Sequence, residues 1–167
     1  MKVKRILACL LMVIVIAGIC TAASAAQKKK DFIFIMDRSF TMKGDKFESM
    51  KDNVIRAIDI IFSEDPNARI ALIAYSVYAE VIADFQTASA AEALKQKVEN
   101  LAVQYDTHMT EALTLAATRL KGSRANQKVA VFFGDGVHSE EIDDIDNIKK
   151  AASNLKNVAD VYAIGIF

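Results

Sequence analysis

Apolar residues recur along the chain in two alternating rhythms. Phe32 to Met36 is an unbroken apolar run between Asp31 and Asp37, the pattern of a strand buried on both faces. From Phe47 to Phe62 the spacing changes, and apolar side chains at 47, 50, 54, 58 and 61 line one face of a helix. Asp65-Pro66-Asn67 breaks that helix. Ile70 to Tyr75 predicts a second buried strand and Tyr78 to Phe85 a third. Only Ser76 and Val77 separate them. That gap is too short for the crossover of a parallel return, so the pair is expected to be antiparallel.

Ser89 with Glu92 three residues on predicts a capping box. It opens a helix that turns Leu94, Val98 and Leu101 inward. A further helix runs from Thr110 to Leu120 and stops at Gly122. Val129 to Phe133 predicts a fourth strand, Ile142, Ile145, Ile148, Ala152 and Leu155 a fourth helix, and Val161 to Phe167 a fifth strand. Strands alternating with helices imply an α/β fold: a doubly wound, mainly parallel sheet with one antiparallel edge strand and helices on both faces. In such sheets ligands bind at the carboxyl ends of the strands. Three loops there carry polar chemistry: Asp37 to Thr41, Asp106 to Thr110, and Gly134 to Ser139.

The amino terminus breaks the alternation. Lys2, Lys4 and Arg5 precede an uncharged run from Ile6 to Cys20, and Ala23-Ser24-Ala25 supplies small residues. This is the layout of a cleaved secretory signal over residues 1–25, so the protein is expected to be secreted or periplasmic. Extended through Ala26 the apolar run would also serve as an uncleaved membrane anchor. Residues 26–30, with Lys28-Lys29-Lys30, are expected to be a basic tether before a single domain at 31–167. Both cysteines, Cys9 and Cys20, fall in the signal, which excludes a disulfide framework or a cysteine-zinc site in the domain. Three of the 21 basic residues and none of the 21 acidic ones lie in the signal, so the remaining 142 residues carry a net charge of −3. That balance offers no footprint for nucleic acid.

The loop after the first strand reads Asp37-Arg38-Ser39-Phe40-Thr41. A carboxylate and two hydroxyls stand at alternate positions, so an extended backbone aims all three to one side. Thr107 and Asp135 on the other two loops extend the set to two carboxylates and three hydroxyls. An all-oxygen set suits a hard divalent cation, Mg2+ first, with Mn2+ or Ca2+ as alternatives. With few carboxylates the ion stays under-neutralised and retains affinity for an outside anion.

These residues resemble those of the von Willebrand factor type A domain family, also known from integrin I domains. The family's adhesion site uses an Asp-x-Ser-x-Ser motif, a distant Thr and a distant Asp. Asp37, Ser39 and Thr41 match the motif, with Thr in the last place. Thr107, followed by Ala112-Leu113, matches the lone Thr, and Asp135 the Asp of a Thr-Asp-Gly turn in which Gly134 replaces the Thr. The resemblance implies a Rossmann-like fold and a non-enzymatic adhesion module. It implies a metal held by Asp37, Ser39, Thr41, Thr107 and Asp135, and a protein partner that supplies a Glu or Asp. Arg38, Phe40, His108 and His138 ring the same rim as candidate contacts for that ligand; His108 and His138 read first as solvated loop residues, and Phe40 as either a core side chain or an exposed apolar contact.

The sequence departs from the family in three places. Arg38 and Phe40 are larger than usual, and Gln104-Tyr105-Asp106 replaces a glycine-rich approach to Thr107. The sequence given also stops before the sixth strand and final helix usual in the family, so either it is a fragment or a partner or second copy is expected to cover the last strand. The fifth strand, with Ile164, Ile166 and Phe167, is therefore expected to be an apolar edge open to self-association or a partner. The cluster Glu140, Glu141, Asp143, Asp144 and Asp146 reads as a solvated start to the fourth helix.

Two other readings compete. Haloacid-dehalogenase-type phosphatases also open with an apolar strand ending in Asp and later carry a Gly-Asp turn. Their second Asp acts as general acid, and Ser39 stands in its place here. A structural interaction module with a vestigial metal site is the other.

Overall fold

The structure, a computed structural model, describes residues 28–139, 141 and 143–166. The expected signal segment, Glu140, Ile142 and Phe167 lie outside the described residues. Five strands form one sheet: β1 (Lys30–Asp37), β2 (Arg69–Tyr75), β3 (Ala79–Gln86), β4 (Gln127–Gly134) and β5 (Asp160–Gly165), in the order β3-β2-β1-β4-β5. Every pairing is parallel except β2 with β3, which is antiparallel. Four helices are α1 (Asp45–Glu64), α2 (Ala91–Glu99), α3 (Met109–Gly122) and α4 (Ile145–Lys156).

The continuous apolar strands are buried because both faces of the sheet are covered. One core layer packs Phe34, Met36, Leu72 and Phe133 against Phe47, Met50, Val54, Ile58 and Phe62 of α1 and Leu94 and Val98 of α2. The other packs Ile33, Ile35, Ile73 and Tyr75 against Ala112, Leu113, Ala116 and Leu120 of α3 and Ile148, Ala151 and Leu155 of α4. Successive residues of β1 thus alternate between layers, as a pleated strand requires. The parallel register sets Asp37 beside Tyr75 and Met36 beside Phe133, bringing the carboxyl ends of β1, β2 and β4 level at one rim.

Several local expectations change. No capping box forms: α2 starts at Ala91 behind the 3-10 turn Ala88–Ala90, Ser89 Oγ lies 3.2 Å from Thr87 Oγ1, and Glu92 pairs with Lys95. Lys29 and Lys30 are not free tether, because Lys30 begins β1 and the Lys29 carbonyl accepts from Asn126 and Gln127. The buried stripe of α1 ends on Phe62 rather than Ile61. Strand β5 is a sheet edge with Tyr162 and Ile164 exposed, but Ile166 is buried in the core, its N–H donating to the Gly134 carbonyl.

The acidic cluster is not uniformly solvated. Asp143 is 2% exposed, and its Oδ2 accepts the Thr110 N–H at 2.7 Å. It thereby satisfies a donor that the first turn of α3 leaves without an intrahelical partner. The segment after β4 folds back onto α3, and that long-range contact buries the carboxylate. Asp144 instead caps α4 through the Asp146 N–H at 2.6 Å.

Candidate metal centre

At the carboxyl end of β1, Asp37 is fully buried with both oxygens engaged. Its Oδ1 accepts the Ser39 N–H at 2.8 Å, and its Oδ2 accepts the Tyr75 hydroxyl at 3.0 Å. Burial pushes the Asp37 carboxyl above its ordinary value, the bonds from Ser39 and Tyr75 pull it down, and the nearby Asp135 charge raises it. Burial also holds the Tyr75 phenol well above its ordinary range, so it remains a donor. The Asp37–Ser39 bond curls the chain into the 3-10 turn Phe40–Met42, which sets Ser39 Oγ 3.0 Å from Thr41 Oγ1.

Thr41 Oγ1 in turn lies 3.4 Å from Asp135 Oδ1, across 94 residues of sequence. Asp135 Oδ1 also accepts the Val137 N–H at 3.1 Å, across a turn in which Gly136 has φ 75°. A side chain at that φ would be strained. Gly134 matters for a different reason. A Cβ there would stand 3.0 Å from Asp37 Cβ, Asp37 Oδ2 and Phe132 Cε1. Glycine is what lets β4 pass this close to the Asp37 carboxylate.

Four of the five expected ligands therefore form one hydrogen-bonded run, Asp37–Ser39–Thr41–Asp135. Thr107 is buried, and no hydrogen bond joins its hydroxyl to the other four. Its loop is nevertheless tied to the ends of β1 and β2. The Gln104 N–H donates to the Arg38 carbonyl and the His108 N–H to the Ser76 carbonyl, both at 2.7 Å. Asp106, immediately before Thr107, takes φ 61°. Asp tolerates that left-handed conformation better than most residues, so it fills the bend that glycine would otherwise serve.

The expected rim contacts divide. Arg38 turns away: it is buried and paired with Glu80 on β3. Its position alternates with Asp37 and Ser39, so the same extended backbone that aims those two at the site aims Arg38 beneath the edge strand. His108 faces Glu111, with Nδ1 3.7 Å from Oε2. His138 is half-buried on the loop after Gly136. Phe40 is 50% exposed and stacks on Tyr105, which is 74% exposed, with ring centroids 5.6 Å apart and planes 6° from parallel.

Tyr75, Lys46 and the ring of Tyr105 also line this rim, and no motif marks Tyr75 or Lys46. Tyr75 has a signal in sequence, since pairing the apolar runs of β1 and β2 end to end sets it opposite Asp37. Lys46 Nζ lies 3.2 Å from Asp135 Oδ2, a contact that no local pattern announces. Among the described residues no group of three or more His, Cys, Asp or Glu side chains is placed to hold an ion. What remains is two carboxylates with hydroxyls between them, a donor set that suits a hard cation rather than zinc or copper.

A second concavity lies at the opposite, amino end of the sheet, lined by Lys29, Arg69, Asp84, Phe85, Arg119 and Arg124 among others. Two of its cations are committed. Arg69 binds the buried Asp31 through two bonds of 2.8 and 2.6 Å, and Arg119 pairs with Asp84 at 3.1 Å.

The family model of the von Willebrand factor type A domain matches residues 31–166. The chain belongs to that family. It is 26% identical to human matrilin-3 over 161 residues, a match covering 90% of this chain and 31% of matrilin-3. Among solved structures, a von Willebrand factor type A protein from Catenulispora acidiphila superposes with a TM-score of 0.73 at 19% identity, covering 83% of this chain and 33% of that one. The von Willebrand factor domain of the type V pili tip protein Mfa5 from Porphyromonas gingivalis gives 0.61 at 24% identity, covering 68% and 40%. The chain thus spans about a third of the curated relatives it matches, and these likenesses establish the fold.

Proposed function

We propose that this domain is an exported protein-binding module that captures a partner's carboxylate through a divalent cation, Mg2+ foremost. The observation that carries the reading is the run Asp37–Ser39–Thr41–Asp135, which gathers oxygen donors from two separate loops at one rim. Ser39 and Thr41 would bind the ion directly. Asp37, fixed by Tyr75, would orient Ser39 and supply charge from behind, directly or through water. Asp135 would ligate from the facing loop and Thr107 from the third. The ion supplies electrophilic attraction for an outside Glu or Asp, and the exposed Phe40–Tyr105 stack beside it offers apolar surface to the same partner.

Matrilin-3 and the Mfa5 pilus tip protein carry related domains, which supports adhesion rather than catalysis. No described helix is long and apolar enough to cross a membrane. Export rests on residues 1–25 alone. The phosphatase reading gains nothing from the geometry: Asp37 is fully buried with both oxygens bonded, whereas a nucleophile must reach phosphorus.

The test is capture of protein from the native extracellular fraction by immobilised wild type and Ser39→Ala, with Mg2+ or with EDTA. Capture by wild type in Mg2+, lost in EDTA and in Ser39→Ala at unchanged circular dichroism, is expected. Equal capture in EDTA would refute metal-dependent adhesion.

A further inference from the structure

The Asp135 carboxylate is 2% exposed, and its two oxygens are differently occupied. Oδ1 faces Thr41 and the Val137 N–H, whereas among the described residues Oδ2 is bonded to the Lys46 ammonium alone, at 3.2 Å. Lys46 stands in the first turn of α1, where the helix dipole favours acids and disfavours cations. Its neighbours Asp45 and Glu48 obey that preference. Lysine at this position is therefore not explained by its own helix. Its head group instead reaches 89 residues along the chain to the Asp135 carboxylate.

We infer that Lys46 is a built-in competitor of the divalent cation: it neutralises Asp135 in the metal-free protein and must leave Oδ2 before an ion can take that oxygen. The inference rests on the metal-site reading above and adds to it a residue that sets the ion concentration at which the site fills. The competition is one positive charge against two, so the ion wins at sufficient concentration. The Lys46 side chain is 38% exposed and has room to swing into solvent. Once displaced it remains on α1 beside the rim and adds positive charge where a partner's carboxylate would approach.

The experiment measures Mn2+ and Mg2+ dissociation constants by titration calorimetry for wild type, Lys46→Met, Lys46→Gln, Lys46→Arg and, as a blank, Asp37→Ala. No partner is present. The metal-free melting temperature of each is recorded beside it. Removing a pair that is buried at one end and half-open at the other is expected to tighten metal binding about three- to tenfold in Lys46→Met and Lys46→Gln. Both variants should melt lower than wild type without metal, and Lys46→Arg should stay near wild type in affinity. Two neutral variants guard against one that misfolds. Wild-type binding with no gain in either neutral variant overturns the competitor role and leaves the metal site standing. Absence of binding in every variant overturns the site itself, and this inference with it.

Discussion

Gly134→Ala isolates the close approach on which the site's geometry depends. The new methyl would meet Asp37 Cβ, Asp37 Oδ2 and Phe132 Cε1 at 3.0 Å, closer than carbon and its neighbours normally settle. The Phe132 ring can tilt, but Asp37 is held from the other side by Ser39 and Tyr75, so the strain falls on the carboxylate. Overpacking of this kind costs about 1–3 kcal/mol. Alanine also reduces the freedom of the unfolded chain, which returns about 0.4–1 kcal/mol. The net expectation is a destabilisation of roughly 0.5–2 kcal/mol, or a melting temperature lower by about 2–8 °C for a domain of this size.

Displacement of Asp37 by a few tenths of an ångström also exceeds the tolerance of a metal site, so Mg2+ should bind about tenfold more weakly. Thermal unfolding followed by circular dichroism, first in EDTA and then along a Mg2+ titration, reads both effects. Gly122→Ala is the control: nothing lies within 4 Å of its added methyl, and its place at the end of α3 predicts neutral or raised stability. A Gly134→Ala protein as stable as wild type with unaltered Mg2+ affinity would refute the reasoning.

Two further predictions concern the carboxylates. Asp143→Ala removes the buried acceptor of the Thr110 N–H and should cost about 1–3 kcal/mol in urea unfolding, with Asp143→Asn recovering part; a loss below about 0.5 kcal/mol would mean that water replaces the carboxylate. Asp37 has a folded-state pKa raised above 3.8, chiefly by burial, so in that window the folded protein binds more protons than the unfolded chain. Its contribution to stability is therefore full below the unfolded value and is lost as pH rises through the folded one. In EDTA the melting temperature of Asp37→Asn should gain on that of wild type across that rise, and a gap that does not change with pH would contradict it.

Much of this architecture is readable in the residues because its causes are local or periodic. Phe32 to Met36 is apolar at every position since both faces of β1 are covered, and Ser76 and Val77 leave no length for a crossover between β2 and β3. Asp37, Ser39, Thr41 and Asp135 meet because the loops after β1 and β4 of a doubly wound sheet end at one rim. Where structure departs from local pattern, the causes are non-local. Ser89 and Glu92 carry the letters of a capping box, yet exposed side chains and a competing 3-10 turn draw them to Thr87 and Lys95. Arg38 looks like a rim contact until β3 offers it Glu80 as an ion-pair partner. Asp143 looks solvated in a run of acids, and only the return of its loop to α3 buries it. Lys46 carries no signal in sequence because its partner lies 89 residues away.

The central claim is that five oxygen-bearing residues hold a divalent cation, and metal-dependent thermal stability tests it most directly. Wild type and Asp37→Ala are melted in EDTA and in Mg2+ or Mn2+ at increasing concentration. At about a hundred times the dissociation constant, binding to the native state alone stabilises by about 2.7 kcal/mol, so wild type should melt about 8–13 °C higher while Asp37→Ala stays within error of its metal-free value. Equal shifts in the two proteins, or none in wild type, would contradict the account.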